Sequence, residues 1–255
     1  MTFSVRPKKH LGQHFLKDEN IARKIVASLP ENSSRILEIG PGTGVLTKYL
    51  LEMEGKTCYF IDTDREAVSF LMQHFPNHTG KFILGNFLNY DTSGLFEENF
   101  DIIGNFPYNI SSQIFFKVLE HRNQVMTVVC MLQKEVAERL VSGPGSKKYG
   151  ILSVFLQAYY RLEYLFTVNE TVFNPPPKVK SAVIRLKRNE IAQLDCNEEL
   201  FFRVVKAAFN QRRKTIRNSL RSFYIDYSRG LTDLEQKRPE QLGVAEFVRL
   251  TKEAV

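Results

Sequence analysis

The run Gly104-Asn105-Phe106-Pro107-Tyr108 places an amide, a proline-flanked backbone carbonyl and an aromatic ring within five residues. That set suits one chemical problem, which is making a nucleophile of an exocyclic amine on a purine ring. Such an amine is a poor nucleophile because its lone pair is delocalised into the ring. Two acceptors aimed at its hydrogens draw the nitrogen toward tetrahedral geometry and free the lone pair. The Asn105 side-chain oxygen and the Pro107 carbonyl are candidates for those acceptors. Tyr108 can stack on the face of a base that has been extruded from its helix. Positioning and electrostatics then carry the catalysis. The competing explanation is a plain turn, where Asn and Pro are common and Tyr only packs. What precedes the run in the sequence weighs against it.

Upstream, Glu38-Ile39-Gly40-Pro41-Gly42-Thr43-Gly44 follows a strand pattern and opens a helical one. Glycines there let the backbone pass close to a ligand at the carboxyl edge of a sheet. No Gly-Lys-Ser/Thr follows, so the run is not a phosphate-cradling loop, and the third glycine comes one residue too early for a dinucleotide fingerprint. Asp62 ends the next strand, where a carboxylate can accept both ribose hydroxyls of a nucleoside. A ligand-free turn is the bland alternative, and the acidic residues on both sides of the loop favour a nucleoside site.

These residues need a scaffold, and the pattern supplies one. Short apolar runs at 35–39, 57–61, 81–84, 100–103 and 125–132 alternate with helical spacing at 45–53, 65–75, 111–120 and 135–141. Two further strand patterns, 159–168 and 181–187, lie close together, which suggests an antiparallel far edge. Asp18 is placed to cap a helix carrying Ile21, Ile25, Val26 and Leu29. Alternating strands and helices predict an α/β, doubly wound, mostly parallel sheet covered on both faces. From about Asn197 the pattern turns helical, with Leu200, Val204, Val205, Ala208 and Phe209 at helical spacing. The expected division is a nucleoside-binding domain at 1–188 and a small all-helical domain at 189–255.

Composition narrows the class of protein. With 255 residues, 43% hydrophobic and 25% charged, the chain can bury a full core. The net charge of +7 suits a polyanionic partner, although many proteins reach it without one. Cys58, Cys130 and Cys196 are far apart with no paired histidines, so neither a metal site nor a disulfide framework is expected. The N-terminus has no apolar stretch behind its charges and no run approaches a membrane span. A cytoplasmic protein with no membrane partner follows as the expectation, with a monomer as the default.

The glycine run with its acidic follow-up resembles that of the class I S-adenosylmethionine methyltransferases, whose fold is a Rossmann-like doubly wound sheet. Motifs of the [NDS]-P-P-[YFW] type mark their amino-group branch, and NFPY resembles the variant of adenine-N6 RNA enzymes. The flanking segments decide. Lys8-Lys9-His10-Leu11-Gly12-Gln13-His14-Phe15-Leu16, Phe173-Asn174-Pro175-Pro176-Pro177-Lys178-Val179-Lys180-Ser181 and Phe209-Asn210-Gln211-Arg212-Arg213-Lys214-Thr215-Ile216-Arg217-Asn218 resemble three motifs of the rRNA adenine dimethyltransferases. Independent motifs in the right order rarely coincide by chance.

The resemblance implies S-adenosylmethionine as cofactor and dimethylation of the N6 amines of two neighbouring adenines near the 3′ end of 16S rRNA. The substrate would be the 30S subunit or its assembly precursor, with a role in small-subunit biogenesis. Carried over by position, cofactor contacts fall on His14, Leu16, Gly40, Gly42, Asp62, Asn86 and Asn105. Family members often have Asn at the place of His14, usually Glu at Asp62 and usually Asp at Asn86. Asn86 can still accept a hydrogen bond from the adenine amine but without charge assistance, so weaker binding is expected. Phe173 is expected either as the second face of the adenine slot, opposite Tyr108, or as a hydrophobic plug.

Lys8 and Lys9 at one end, and Arg212, Arg213, Lys214 and Arg217 at the other, are candidates for RNA phosphate contacts. Spacings of three and four would put Arg213, Arg217 and Arg221 on one face of a single helix. Lys147 and Lys148, beside Gly143, Pro144 and Gly145, read as part of a mobile loop near the base pocket that can also meet RNA. Two other readings remain: a 23S rRNA adenine methylase of the antibiotic-resistance type, and a non-catalytic RNA-binding assembly factor.

Overall fold

A computed structural model describes residues 5–92 and 94–254. The first half alternates strands and helices. After β1 (Phe15–Leu16) come α1 (Glu19–Val26), β2 (Arg35–Ile39), α2 (Thr47–Leu51), β3 (Thr57–Asp62), α3 (Arg65–His74), β4 (Phe82–Leu84), β5 (Phe100–Asn105) and α4 (Ser111–Glu120). Then follow β6 (Val125–Gln133), α5 (Lys134–Val141), α6 (Ile151–Tyr159), β7 (Tyr160–Val168), β8 (Phe173–Asn174) and β9 (Ser181–Arg188). The last segment is helical: α7 (Glu198–Asn210), α8 (Ile216–Ser219) and α9 (Val244–Lys252).

Seven strands form one sheet in the order β4-β3-β2-β5-β6-β9-β7. Strands β4, β3, β2, β5 and β6 run parallel, and β9 lies antiparallel to β6. The antiparallel far edge agrees with the sequence pattern. In β6 only Met126 and Gln133 escape full burial, as expected of a strand covered on both faces. Asp18 caps α1 through Oδ1, which accepts from the Asn20 and Ile21 N–H groups. Among the described residues no helix is long and apolar enough to cross a membrane.

Strand order reverses between β2 and β5, so their carboxyl ends diverge and leave a crevice. The glycine loop leaves β2 there, and Asn105 is the last residue of β5. A side chain on Gly104 would put its Cβ 2.4 Å from the Ile39 carbonyl oxygen, so only glycine lets these two strand ends approach.

The chain forms two compact units: Met1–Ala137 with Glu163–Arg188, and Glu138–Leu162 with Asn189–Val255. This differs from a single cut after Arg188, because 138–162 packs with the helical segment. Within that second unit α6 packs against α7 and α9. Its residues Val154, Phe155, Leu156, Ala158 and Tyr159 are buried. Periodicity gives no assignment for 151–158, since a helix that is apolar nearly all round shows no stripe.

The single basic helix expected at 212–221 does not form. Gln211 leaves the helical region (φ −117°, ψ 38°) and Thr215 is extended (φ −66°, ψ 159°). The Ile216 and Arg217 N–H groups donate to the carbonyls of Lys237 and Glu235, at 2.7 and 3.1 Å. Those partners end the helix that the spacing of Arg213, Arg217 and Arg221 suggested.

Candidate active site

The loop after β2 folds back on the end of β3. Gly42 N–H donates to Asp62 Oδ2 (3.1 Å), and Asp64 N–H donates to Asp62 Oδ1 (2.9 Å). Each carboxylate oxygen keeps a lone pair for a further donor. Burial holds the Asp62 carboxyl above its ordinary value, and these backbone N–H groups offset only part of that rise. Gly42 adopts φ +55°, and a Cβ there would strike the Phe15 ring at 2.8 Å. Beneath the loop, Glu38 is fully buried and accepts from Thr47 Oγ1 at 2.7 Å. Burial pushes its carboxyl up to about 8.

A strap of N-terminal chain, residues 8–15, lines the crevice. Lys8 Nζ lies 2.5 Å from Asp64 Oδ1, and Gln13 Nε2 donates to Asp64 Oδ2 at 3.0 Å. The strap then ties itself to the chemistry loop. Asn105 Nδ2 donates to the His14 carbonyl at 2.8 Å. A carbonyl only accepts, so this bond fixes the amide orientation and leaves Asn105 Oδ1 unclaimed. The His14 ring Nδ1–H donates to the Pro175 carbonyl at 2.8 Å, and the ring stacks on Tyr108 with centroids 5.6 Å apart.

Tyr108 is anchored at its tip, where its hydroxyl and that of buried Ser181 are 2.5 Å apart. Burial pushes the Tyr108 hydroxyl up, so it stays neutral. The Pro107 carbonyl accepts from Ile110 N–H at 3.2 Å and retains its second lone pair.

Three adjoining clefts open here. One of about 470 Å³ is lined by residues 11–15, Gly40, Gly42, Asp62, Asn105, Pro107 and Tyr108. Another of about 360 Å³ continues past Gly40, Asp62 and Pro107 to Asn86, Ile110 and Ile114. A third, wider one of about 1000 Å³ runs from His14 and Tyr108 to Gln133 and residues 175–179. The first two lie at the switch point of the sheet, within the size range of small-molecule sites.

Two expected site residues turn their side chains into the core. Leu16 is 3% exposed and belongs to the core, so Phe15 rather than Leu16 faces the cleft. Phe173 is 1% exposed and pairs with Leu16 across β1 and β8. It is the hydrophobic plug and not a wall opposite Tyr108. Strand alternation turns both side chains inward.

The sequence matches the description "Ribosomal RNA adenine dimethylase" over residues 5–254. The chain belongs to this ribosomal RNA adenine dimethylase family. S-adenosylmethionine is its methyl donor. The chain is 56% identical over 252 residues to ribosomal RNA small subunit methyltransferase A of Parabacteroides distasonis, covering 97% of this chain and 93% of that one. It is 53% identical to the protein of the same name from Cytophaga hutchinsonii, covering 97% and 96%. A dimethyladenosine transferase structure from Plasmodium falciparum superposes with a TM-score of 0.79 at 26% identity, covering 93% of this chain and 96% of that one. The 23S rRNA methyltransferase ErmE reaches 0.71 at 23% identity, covering 93% and 99%, a likeness of fold alone.

In this dimethylase several cations expected to face RNA also have intramolecular partners. Lys8 is paired with Asp64 and Glu66. Arg212 donates to the Ser146 and Lys147 carbonyls at 3.3 and 2.8 Å and lies 3.6 Å from Glu240. Arg217 pairs with Glu235 at 2.6 Å. Among the described residues, no ion pair is recorded for Lys9, Arg213 or Lys214. The loop at 143–150 is tied at several points within its own unit. Gly145 N–H donates to the Glu240 carbonyl at 2.6 Å, Lys148 pairs with Glu138, and Tyr149 is buried against Phe209.

Asn86 lines the second cleft, but its Oδ1 already accepts from Leu88 N–H at 3.0 Å. A carboxylate there would keep that bond and add charge toward a second donor. Asn86→Asp is expected to tighten S-adenosylhomocysteine binding about threefold to fivefold by titration calorimetry. An unchanged or weaker affinity would remove Asn86 from the cofactor site.

Proposed function

We propose that this dimethylase transfers methyl groups to the N6 amines of two adjacent adenines near the 3′ end of small-subunit (16S) rRNA. It acts as a cytoplasmic monomer on the 30S subunit or its assembly precursor and so takes part in small-subunit biogenesis. The free Oδ1 of Asn105 carries this reading, held toward the cleft because the amide nitrogen is tied to the His14 carbonyl. Next to it stand the spare lone pair of the Pro107 carbonyl and the anchored ring of Tyr108.

The clefts fit the cofactor. Asp62 offers acceptors for ribose hydroxyls, Gly40 and Gly42 leave room along the loop, and Asn86, on the wall of the second cleft, would accept from the adenine amine. Bound there, S-adenosylmethionine supplies a methyl group on a sulfonium leaving group. The protein's own work is placement. Asn105 Oδ1 and the Pro107 carbonyl accept hydrogen bonds from the amine N–H groups, two before the first transfer and one before the second, and localise the nitrogen lone pair; each methylated nitrogen then gives its surplus proton to solvent. Tyr108 holds the base plane by stacking. Lys9, Arg213 and Lys214 are the cations left for phosphate.

The names of the relatives at 51–56% identity favour the small subunit over the large. The test uses radiolabelled S-adenosylmethionine with undermethylated 30S subunits and, in parallel, 50S subunits, followed by digestion to nucleosides. Labelled N6,N6-dimethyladenosine from 30S alone is expected. Label in 50S would move the protein to the large-subunit methylases, and tight RNA binding with no label would make it an assembly factor.

A further inference from the structure

Lys8 stands in a basic cluster, and its charge alone suggests a phosphate contact. Its surroundings assign it elsewhere. Asp64 is completely buried at its side chain and caps α3 by accepting from Glu66 N–H at 3.0 Å. Burial alone would raise its carboxyl, and the Lys8 ammonium and Gln13 amide overcome that and hold it below its ordinary value. Lys8 also fastens the strap to itself, since its backbone N–H donates to Gln13 Oε1 at 2.8 Å.

The network does not stop at Asp64. Asp64 N–H holds Asp62 Oδ1, and Asp62 Oδ2 holds the glycine loop at Gly42. At its far end the strap bonds Asn105 through the His14 carbonyl. One chain of hydrogen bonds therefore runs from Lys8 through Asp64 and Asp62 to the glycine loop. The same strap places Leu11, Gly12, Gln13, His14 and Phe15 along the wall of the first cleft.

We infer that Lys8 is a positioning residue for the cofactor, its ion pair with Asp64 latching the N-terminal strap over the cleft, and not a contact to RNA. When the latch is made, the strap closes the cleft wall and the Asp62 carboxylate is held for the ribose. When it is broken, the strap loses its charged tie and keeps the Gln13–Asp64 bond with its His14 and β1 attachments, and bound cofactor escapes faster. The inference rests on the cofactor site alone and stands whichever RNA is methylated.

The test compares Lys8→Gln and Lys8→Arg in the full-length protein, using S-adenosylhomocysteine binding without RNA. Lys8 is partly exposed, so both variants should fold, which thermal melting checks. Lys8→Gln is expected to weaken binding about tenfold, the loss of one charge-assisted pair. Lys8→Arg should restore it to within about threefold, because a guanidinium can serve Asp64 too. Amide hydrogen exchange at residues 9–14 in the complex should speed up in Lys8→Gln only. The KM for RNA and the salt dependence of RNA binding should not change. An unchanged affinity, with RNA binding weakened and its salt slope reduced by about one unit, would make Lys8 a phosphate contact and overturn the inference. A lowered melting temperature with normal cofactor affinity would overturn it as well.

Discussion

Asn105→Ala is expected to lower kcat for methyl transfer by about 10² to 10³-fold and, because the strap loses its tie at His14, to weaken S-adenosylhomocysteine binding by a smaller factor. The wild-type amide does two things at once. Its nitrogen is spent on the His14 carbonyl, which leaves its oxygen for the proposed bond from the substrate amine. Alanine removes the acceptor that localises the lone pair, an interaction needed most in the transition state, so the loss falls on kcat rather than KM. Asn105→Asp separates the two roles. It keeps an acceptor oxygen but sets a carboxylate against the His14 carbonyl, so the strap is repelled and both cofactor binding and rate should fall. Single-turnover kinetics on the 30S substrate, with cofactor binding measured in parallel, distinguish these outcomes. An alanine variant that kept more than about a tenth of the wild-type kcat would show that the Pro107 carbonyl and stacking suffice.

That geometry was only partly legible in the sequence. The alternation of strands and helices, the cap at Asp18 and the antiparallel edge at β9 follow from local pattern, and they appear as such. The glycine loop and the NFPY run are contiguous, so their joint position at the switch point follows once the sheet order is known. Side-chain direction is harder to read. Leu16 and Phe173 sit within motifs next to the site, but strand alternation turns both into the core. Charge pattern is weakest of all. Lys8, Arg212 and Arg217 look like free cations in one dimension, yet their partners Asp64, Glu240 and Glu235 lie 56, 28 and 18 residues away. Gly104 opens the chemistry run in the sequence, but its packing against the Ile39 carbonyl is legible only as a general signal, that a glycine inside a strand pattern marks a close backbone approach. The distant ties of 216–217 to 235–237 broke a helix that spacing alone supported.

The buried pair beneath the cofactor loop sets the second large expectation, a pH-dependent stability that belongs to Glu38. Asp62 and Glu38 are both buried, and each disfavours ionisation of the other. Asp62 receives backbone N–H groups on both oxygens, whereas Glu38 has the Thr47 hydroxyl. The negative charge therefore resides on Asp62, and Glu38 is held neutral up to about pH 8. Neutral Glu38 removes the charge that would oppose ionisation of Asp62. Because the folded value lies above the ordinary 4.5, the contribution of Glu38 is fully present below about pH 4.5 and is lost as pH rises toward 8. The shift corresponds to roughly 5 kcal/mol at most. Glu38→Gln keeps the shape and neutrality but cannot ionise. The unfolding free energy of the Gln variant minus that of the wild type should therefore rise steadily between about pH 5 and 8 and level off above, toward that limit. Chemical denaturation across this range measures the difference directly. Two curves that stay parallel would mean that Glu38 is already ionised in the folded protein at pH 5, and the division of charge between the two carboxyls would have to be reversed.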